Sequence, residues 1–438
     1  MMKTYLSLTV ALAIGSAATA QTCVGTRYAS DVFTGVTATT GIVYGSNITY
    51  TGTTQSLTLD LYEPTGDVLA ARPLIVWAHG GSFIGGTSAD ADVDSLSHRF
   101  ARKGYVCASI NYRIGVASFD SLGMIPAVLR AVQDMKASVR FFYKDRATTN
   151  TYKIDTNNIY IGGSSAGAIT VLHYVYLKRT CQIDPYFAHI TATSLTKLGG
   201  LDGYSGNQCY SDKVKGVISL CGALGVYGWM EAGDLPLCSM HGTADKTVPY
   251  GRAIVNPGLP IMYTDGSRMI YQQSLAVNVQ NNFYTWIGAG HVPYAANAAY
   301  MDTTVNFVRD YLNGRMGITC TALQPADATS GTASLYAYTP CTTNVFYSCT
   351  PAGIQNYNEN LFEDVYPNPS SSSINVVFSS NNSTHIITLS DITGRVIKSD
   401  ISSEANYTLE KASLSSGIYF LRVANKQGET SVRKIIFN

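Results

Sequence analysis

Through residue 315, short apolar runs alternate with stretches whose apolar positions fall three and four residues apart. The runs at 74–78, 104–110, 158–161, 235–240 and 283–287 read as strands. Residues 127–142 and 303–312 have helical spacing, and 168–172 open a further helix. Residues 40–62 read as an antiparallel pair at the start. Strands alternating with helices predict a mostly parallel sheet covered on both faces. From 319 to 360 the composition shifts to Ser, Thr, Pro, Asn and Tyr with three cysteines, which predicts a clipped connector with little regular structure. From 365 the period changes again. Short alternating strands at 374–378, 385–389, 417–423 and 432–437, with turns at Gly394 and Gly428, predict a small all-β sandwich.

The chemistry sits where the predicted strands end. Ser165 lies in Gly163-Ser164-Ser165-Ala166-Gly167, between the strand at 158–161 and the helix opening at Ala168. A G-x-S-x-G turn in that setting holds the serine hydroxyl out at the carboxyl end of the sheet, and the small residues on either side keep helix and strand from colliding. A serine needs a base, and the base needs an orienting acid. Asp245 follows the strand at 235–240 in a Gly-containing loop, and His291 follows the strand at 283–287 in another. Ser165 is therefore the expected nucleophile, His291 the base and Asp245 the acid, in the chain order serine, acid, histidine. The strand at 74–78 runs into His79-Gly80-Gly81-Ser82, a loop suited to presenting backbone N–H groups to a developing oxyanion.

These motifs resemble the esterase and lipase branch of the α/β-hydrolase superfamily. His79-Gly80-Gly81-Ser82 is similar to its HGGG loop, with serine at the third glycine. His241-Gly242-Thr243-Ala244-Asp245 is similar to its HGTxD acid loop, and residues 104–113 look like its fourth strand. The likeness covers roughly residues 40 to 315. It implies a mostly parallel eight-stranded sheet with helices on both faces, and an oxyanion hole made by the N–H groups of Gly81, Ser82 and Ala166. Gly80, Gly163 and Gly167 would be structural around the site, and His79 would prop the oxyanion loop. His241 likewise reads as structural, and His98 and His173 as packing or surface residues.

Tyr366-Pro367-Asn368-Pro369, then residues 391–395, 414–420 and 434–436, together resemble the C-terminal sorting domain of type IX secretion. That resemblance implies the secretion machinery as a partner and a secreted or cell-surface destination. A carbohydrate-binding or adhesive β-module is the other reading of this region.

The remaining features narrow the picture. Lys3, the apolar residues 6–14 and Ala18-Thr19-Ala20 read as a signal peptide over 1–20, too short for a permanent membrane span. The expected organisation is then 21–318 catalytic, 319–360 connector and 361–438 sorting domain. A net charge of +1 with 13% charged residues offers no basic face for nucleic acid. No CxxC pair, HExxH or phosphate-cradling motif occurs, so no cofactor and no metal is expected. Asp90, Asp92 and Asp94 alternate like a calcium loop, but Ser95 and Ala101 stand where it needs Gly and Glu, so they read as a helix cap and solvated loop. Nine cysteines in an oxidising compartment leave at least one unpaired, and Cys107 in a buried strand is the expected free thiol. A Cys181–Cys209 clip and a Cys341–Cys349 loop are plausible, and Cys221–Cys238 is an even choice.

The expected reaction is carboxylic ester hydrolysis through an acyl-enzyme. The insertion at 179–213 is polar and Gly-rich, unlike an apolar lipase lid, and favours short-chain or carbohydrate-linked acyl groups. It and the loops near Phe83 and Tyr294 are expected to shape the pockets. A serine peptidase of the same fold and a noncatalytic binding module are the alternatives. The first would show on peptide substrates, and the second would have been favoured by loss of a triad member.

Overall fold

The structure is a computed structural model that describes residues 26–183, 199–318, 335–341, 361–379, 384–392, 396–425 and 430–438. The signal peptide expected over 1–20 and the turn glycines Gly394 and Gly428 lie outside the described residues. The chain divides into two compact units, Met1–Thr350 and Pro351–Asn438.

The first unit is built on an eight-stranded sheet. Its strands are β1 (Val36–Ile48), β2 (Thr54–Pro64), β3 (Arg72–Ala78), β4 (Val106–Ile110), β5 (Ile154–Ser164), β6 (Gly216–Leu220), β8 (Leu237–Gly242) and β11 (Asn281–Trp286), in the order β1-β2-β4-β3-β5-β6-β8-β11. The pairs β1·β2 and β2·β4 are antiparallel and the rest are parallel. This is the α/β-hydrolase fold. Successive side chains of β3 serve opposite faces, as the period of two requires. Leu74, Val76 and Ala78 join the core that also holds Val132 and Val171, whereas Ile75 and Trp77 join the one that holds Phe100 and Val308. The first core lies under helices α2 (Ser121–Ala147) and α3 (Ala166–Tyr176), the second under α1 (Ala91–Arg102) and α5 (Ala298–Arg315). α4 (Ser267–Ala276) follows a small sheet of β7 (Ala223–Leu224), β9 (Arg252–Ile254) and β10 (Tyr263–Gly266), ordered β7-β10-β9.

Of the insertion's described residues, 179–183 and 199–213, the second stretch packs against α2 and β1. Ser205 Oγ donates to Asp134 Oδ1 at 2.5 Å, and Arg113 Nε donates to both oxygens of Asp134 at 3.0 and 2.9 Å. Arg113 and Asp134 are both fully buried, so this ion pair ties the end of β4, the middle of α2 and the insertion together.

Cysteine pairing departs from expectation. Cys181 bonds to Cys341, 160 residues away, instead of to Cys209, which excludes a Cys341–Cys349 loop as well. Cys209 is also disulfide-bonded. Cys107 is free, as are Cys221 and Cys238, all three buried. The Cys341 bond draws residues 335–341 of the expected connector onto the first unit, whose limit falls at Thr350 and not at 318.

The second unit is an antiparallel sandwich. A three-stranded sheet, β12 (Phe362–Tyr366), β13 (Ser373–Phe378) and β16 (Asn406–Glu410), shares one core with a four-stranded sheet of β14 (His385–Asp391), β15 (Val396–Ser402), β17 (Gly417–Asn425) and β18 (Thr430–Phe437). Ile374, Val376 and Phe378 from the first meet Leu389, Leu421 and Val423 from the second.

Candidate active site

All parallel strands deliver their carboxyl ends to one edge of the sheet, and the sequence-predicted residues converge there. Ser165, between β5 and α3, has φ 53° and ψ −115°, a conformation costing about 1–3 kcal/mol in a non-glycine residue. The turn is held by Ser165 N–H donating to Leu220 O at 2.9 Å and by Ile169 N–H donating to Ser165 O at 3.0 Å. Both flanking glycines are sterically required. A Cβ on Gly163 would lie 2.2 Å from the Gly167 carbonyl carbon, and one on Gly167 would lie 2.0 Å from Ala78 O.

Ser165 Oγ is 2.7 Å from His291 Nε2, and His291 Nδ1 is 2.6 Å from Asp245 Oδ2. The other oxygen of Asp245 accepts from the backbone N–H groups of Thr247 and Val248 at 2.9 and 3.0 Å. Burial works to raise the Asp245 carboxyl, but the hydrogen bonds from His241 and His291 and their charges outweigh it, holding the group well below the usual aspartate range. The loops carrying acid and histidine touch: a Cβ on Gly242 would lie 2.4 Å from Ala289 O.

Two residues have larger parts than their sequence contexts conveyed. His241 is fully buried, with Nε2 3.2 Å from Asp245 Oδ2 and 3.1 Å from Val248 O, and Nδ1 2.8 Å from Ser267 Oγ. Two oxygens facing Nε2 place a proton there, so His241 donates toward Asp245 from behind. Tyr294 was expected in a pocket-shaping loop. It is buried instead beneath the elbow, its hydroxyl 2.7 Å from Ser164 Oγ, and bonds the segment after His291 to the residue before the nucleophile. The signal for His241 was its place four residues before Asp245; none marked Tyr294.

The loop after β3 doubles back under Ser165. Gly81, Ser82 and Phe83 have φ 97°, 55° and 61°, and the N–H groups of Ile84 and Gly85 both bond Gly81 O at 3.0 Å. A Cβ on Gly80 would lie 3.4 Å from Ser165 Cβ, and one on Gly81 2.2 Å from Gly85 O. His79 stacks on Tyr112 at 4.3 Å, and the Tyr112 hydroxyl donates to His79 O at 2.9 Å. Burial lowers the His79 pKa against its bond to Gly80 O and the charges of Asp90 and Asp92. Ala166, the remaining expected donor, is the first residue of α3. Asp90 precedes α1 as its N-cap residue, but its side chain accepts from Thr87 N–H and not from the helix, contrary to the expected side-chain cap; Asp94 accepts from the Tyr62 hydroxyl.

A cavity of about 90 Å³, measured as space for the centre of a water-sized sphere, opens beside Ser165 and Ala166. Its lining is mostly apolar, including Phe83, Leu129, Ile169, Trp229, Val255 and Met262. His173 lines it too. Burial brings its pKa down to about 4, so the ring is neutral, with Nε2 accepting from Gly225 N–H at 3.3 Å. Of the insertion's described residues, Ile183 reaches the cavity, Arg179 pairs with Glu231, and 199–213 packs on α2 and β1.

Cys221, Asp245 and His291 are the one group among the described residues whose donor atoms lie close enough to hold a metal, within 4.8 Å of one another. Burial pushes the Cys221 thiol up to about 12, and the carboxylate and imidazole already bond each other.

Residues 59–198 match the BD-FAE family, an α/β-hydrolase esterase domain, and residues 364–438 match the secretion system C-terminal sorting domain. The chain is 34% identical over 119 residues to carboxylesterase 3B of Mus musculus, covering 26% of this chain and 19% of that protein. It is 28% identical over 116 residues to gut esterase 1 of Caenorhabditis elegans, covering 26% and 20%. The chain thus spans about a fifth of the length of these curated relatives. The solved structure of Thermogutta terrifontis esterase 2 phosphorylated by paraoxon aligns with a TM-score of 0.47 at 19% identity, over 65% of this chain and 96% of that one. Among the described residues no helix is long and apolar enough to cross a membrane. Residues 59–198 are thus similar to an α/β-hydrolase domain of the esterase kind, and residues 364–438 to a secretion sorting domain.

Proposed function

We propose that this protein is an exported serine hydrolase that cleaves carboxylic esters through an acyl-enzyme. The observation that carries the reading is the unbroken series Ser165 Oγ, His291, Asp245, with links of 2.7 and 2.6 Å, at the mouth of an apolar cavity. His291 Nε2 takes the Ser165 proton as Oγ attacks the ester carbonyl. Asp245, anionic and doubly bonded to backbone N–H groups, holds the ring and stabilises the imidazolium. The N–H groups of Gly81, Ser82 and Ala166 receive the oxyanion. His291 then protonates the leaving alcohol, and water deacylates Ser165 by the same route.

The cavity supports a compact apolar acyl group, with the alcohol, a small molecule or a glycan, leaving toward solvent. The sorting domain supports delivery by the type IX machinery after signal-peptide export. The test is a panel of p-nitrophenyl esters, acylated xylan fragments and aminoacyl amides with wild type and Ser165→Ala. Ester turnover that Ser165→Ala lowers by about a thousandfold or more is expected. Turnover of the amides alone would replace the reading with a peptidase, and no turnover would favour a binding module.

A further inference from the structure

Residues 335–341 line no part of the cavity, yet they are fastened to three segments of its wall. The first fastening is the Cys181–Cys341 bond, two residues from Ile183. The second is Tyr338, which packs on the turn Tyr227–Trp229 so closely that a Cβ on Gly228 would lie 2.1 Å from its ring, with its hydroxyl bonded by the Trp229 side chain. The third is Tyr336. Its hydroxyl donates to Asp265 Oδ2 at 2.6 Å, its ring lies under the Arg252 guanidinium at 4.1 Å, and its carbonyl accepts from the Tyr227 hydroxyl.

Asp265 is the hub of this arrangement. It is fully buried on β10 and also accepts from Arg252 Nη1 at 2.8 Å and from Tyr227 N–H at 2.8 Å. Arg252 begins β9, Asp265 lies near the end of β10, and the loop joining those strands supplies Val255, Ile261 and Met262 to the cavity. Ile183, Trp229 and the β9–β10 hairpin are distant in sequence. Lys178 and Arg179 near the first pair with Glu231 beside the second, Tyr227 N–H bonds Asp265 of the third, and residues 335–341 are fastened to all three.

We infer that residues 335–341 form a strap that sets acyl-group selectivity by holding these three wall segments in register. The inference rests on the ester-hydrolase reading above. Tyr336, Tyr338 and Cys341 are positioning residues, remote from Ser165, Asp245 and His291. Loosening the strap should cost the contacts of an acyl chain long enough to reach the wall and spare one that stops at the nucleophile.

The experiment compares p-nitrophenyl acetate and hexanoate on the full chain, as wild type, Tyr336→Phe, Cys341→Ala and Gly228→Ala. Tyr336→Phe keeps the ring and removes one bond to a buried carboxylate, so it folds even if the others do not. The ratio of hexanoate to acetate kcat/KM should fall about fivefold or more in the variants, through KM, with acetate kcat within about twofold of wild type. A structural defect alone would lower both substrates together. A ratio within about twofold of wild type in every folded variant overturns the strap while leaving the hydrolase intact. Wild type that cleaves neither ester instead removes the hydrolase reading on which the strap depends.

Discussion

At the scale of single residues, burial disfavours the charged form of two histidines near the nucleophile: it holds His173 at about 4 and lowers His79. Asp245 is held in its anionic form by His241 and His291. Only a neutral imidazole can accept the serine proton, so kcat/KM should rise with pH through one single-proton step on the acid side. A pH profile with short-chain ester checks this; a flat line or a two-proton slope would contradict it. Asp245 adds a separate effect on stability. Its folded pKa lies below its unfolded one, so it stabilises the fold above about pH 4 and loses that contribution as pH falls through the lowered value. The triad residues were legible because each follows a strand in a loop of small residues. The parts of His241 and Tyr294 were not, because they depend on which side chains the sheet brings face to face.

At the scale of elements, the buried Arg113–Asp134 pair shows where the insertion is anchored. Asp134→Ala would leave the Arg113 guanidinium buried without its partner, a change that costs about 3–5 kcal/mol. Urea unfolding should show the midpoint falling by a corresponding amount at constant slope. A loss below about 1 kcal/mol would mean that the insertion is held by its other contacts. The central strands were legible from unbroken apolar runs, since burial on both faces leaves few polar positions. In the sandwich, β15 was missed because Val396–Ser402 carries only partial alternation, and β12 and β16 because they are short. Where the insertion packs was not legible from its polar composition: among its described residues, Ser205 bonds Asp134 of α2, Asn207 bonds Tyr44 of β1, Arg179 pairs with Glu231, and Ile183 lines the cavity.

At the scale of the whole molecule, the residues proposed for the chemistry and those that match a sorting domain fall in different units. Every residue assigned to the chemistry lies before His291 or at it, and the sorting domain occupies 364–438. Deleting 351–438 should therefore preserve ester turnover and strand the enzyme in the periplasm of a host with type IX secretion. Fractionation together with kinetics checks both halves, and normal surface delivery without those residues would remove the sorting role. The limit at Thr350 was not legible, because the bond that brings 335–341 back joins cysteines 160 residues apart. The central claim, that Ser165 carries the acyl group, is tested most directly by rapid mixing with p-nitrophenyl acetate followed by acid quench and peptide mass analysis. The account predicts a burst of about one nitrophenolate per chain and an acetyl group on the peptide containing Ser165, both absent in Ser165→Ala. A burst that survives Ser165→Ala, or an acetyl group found on another residue, would contradict it.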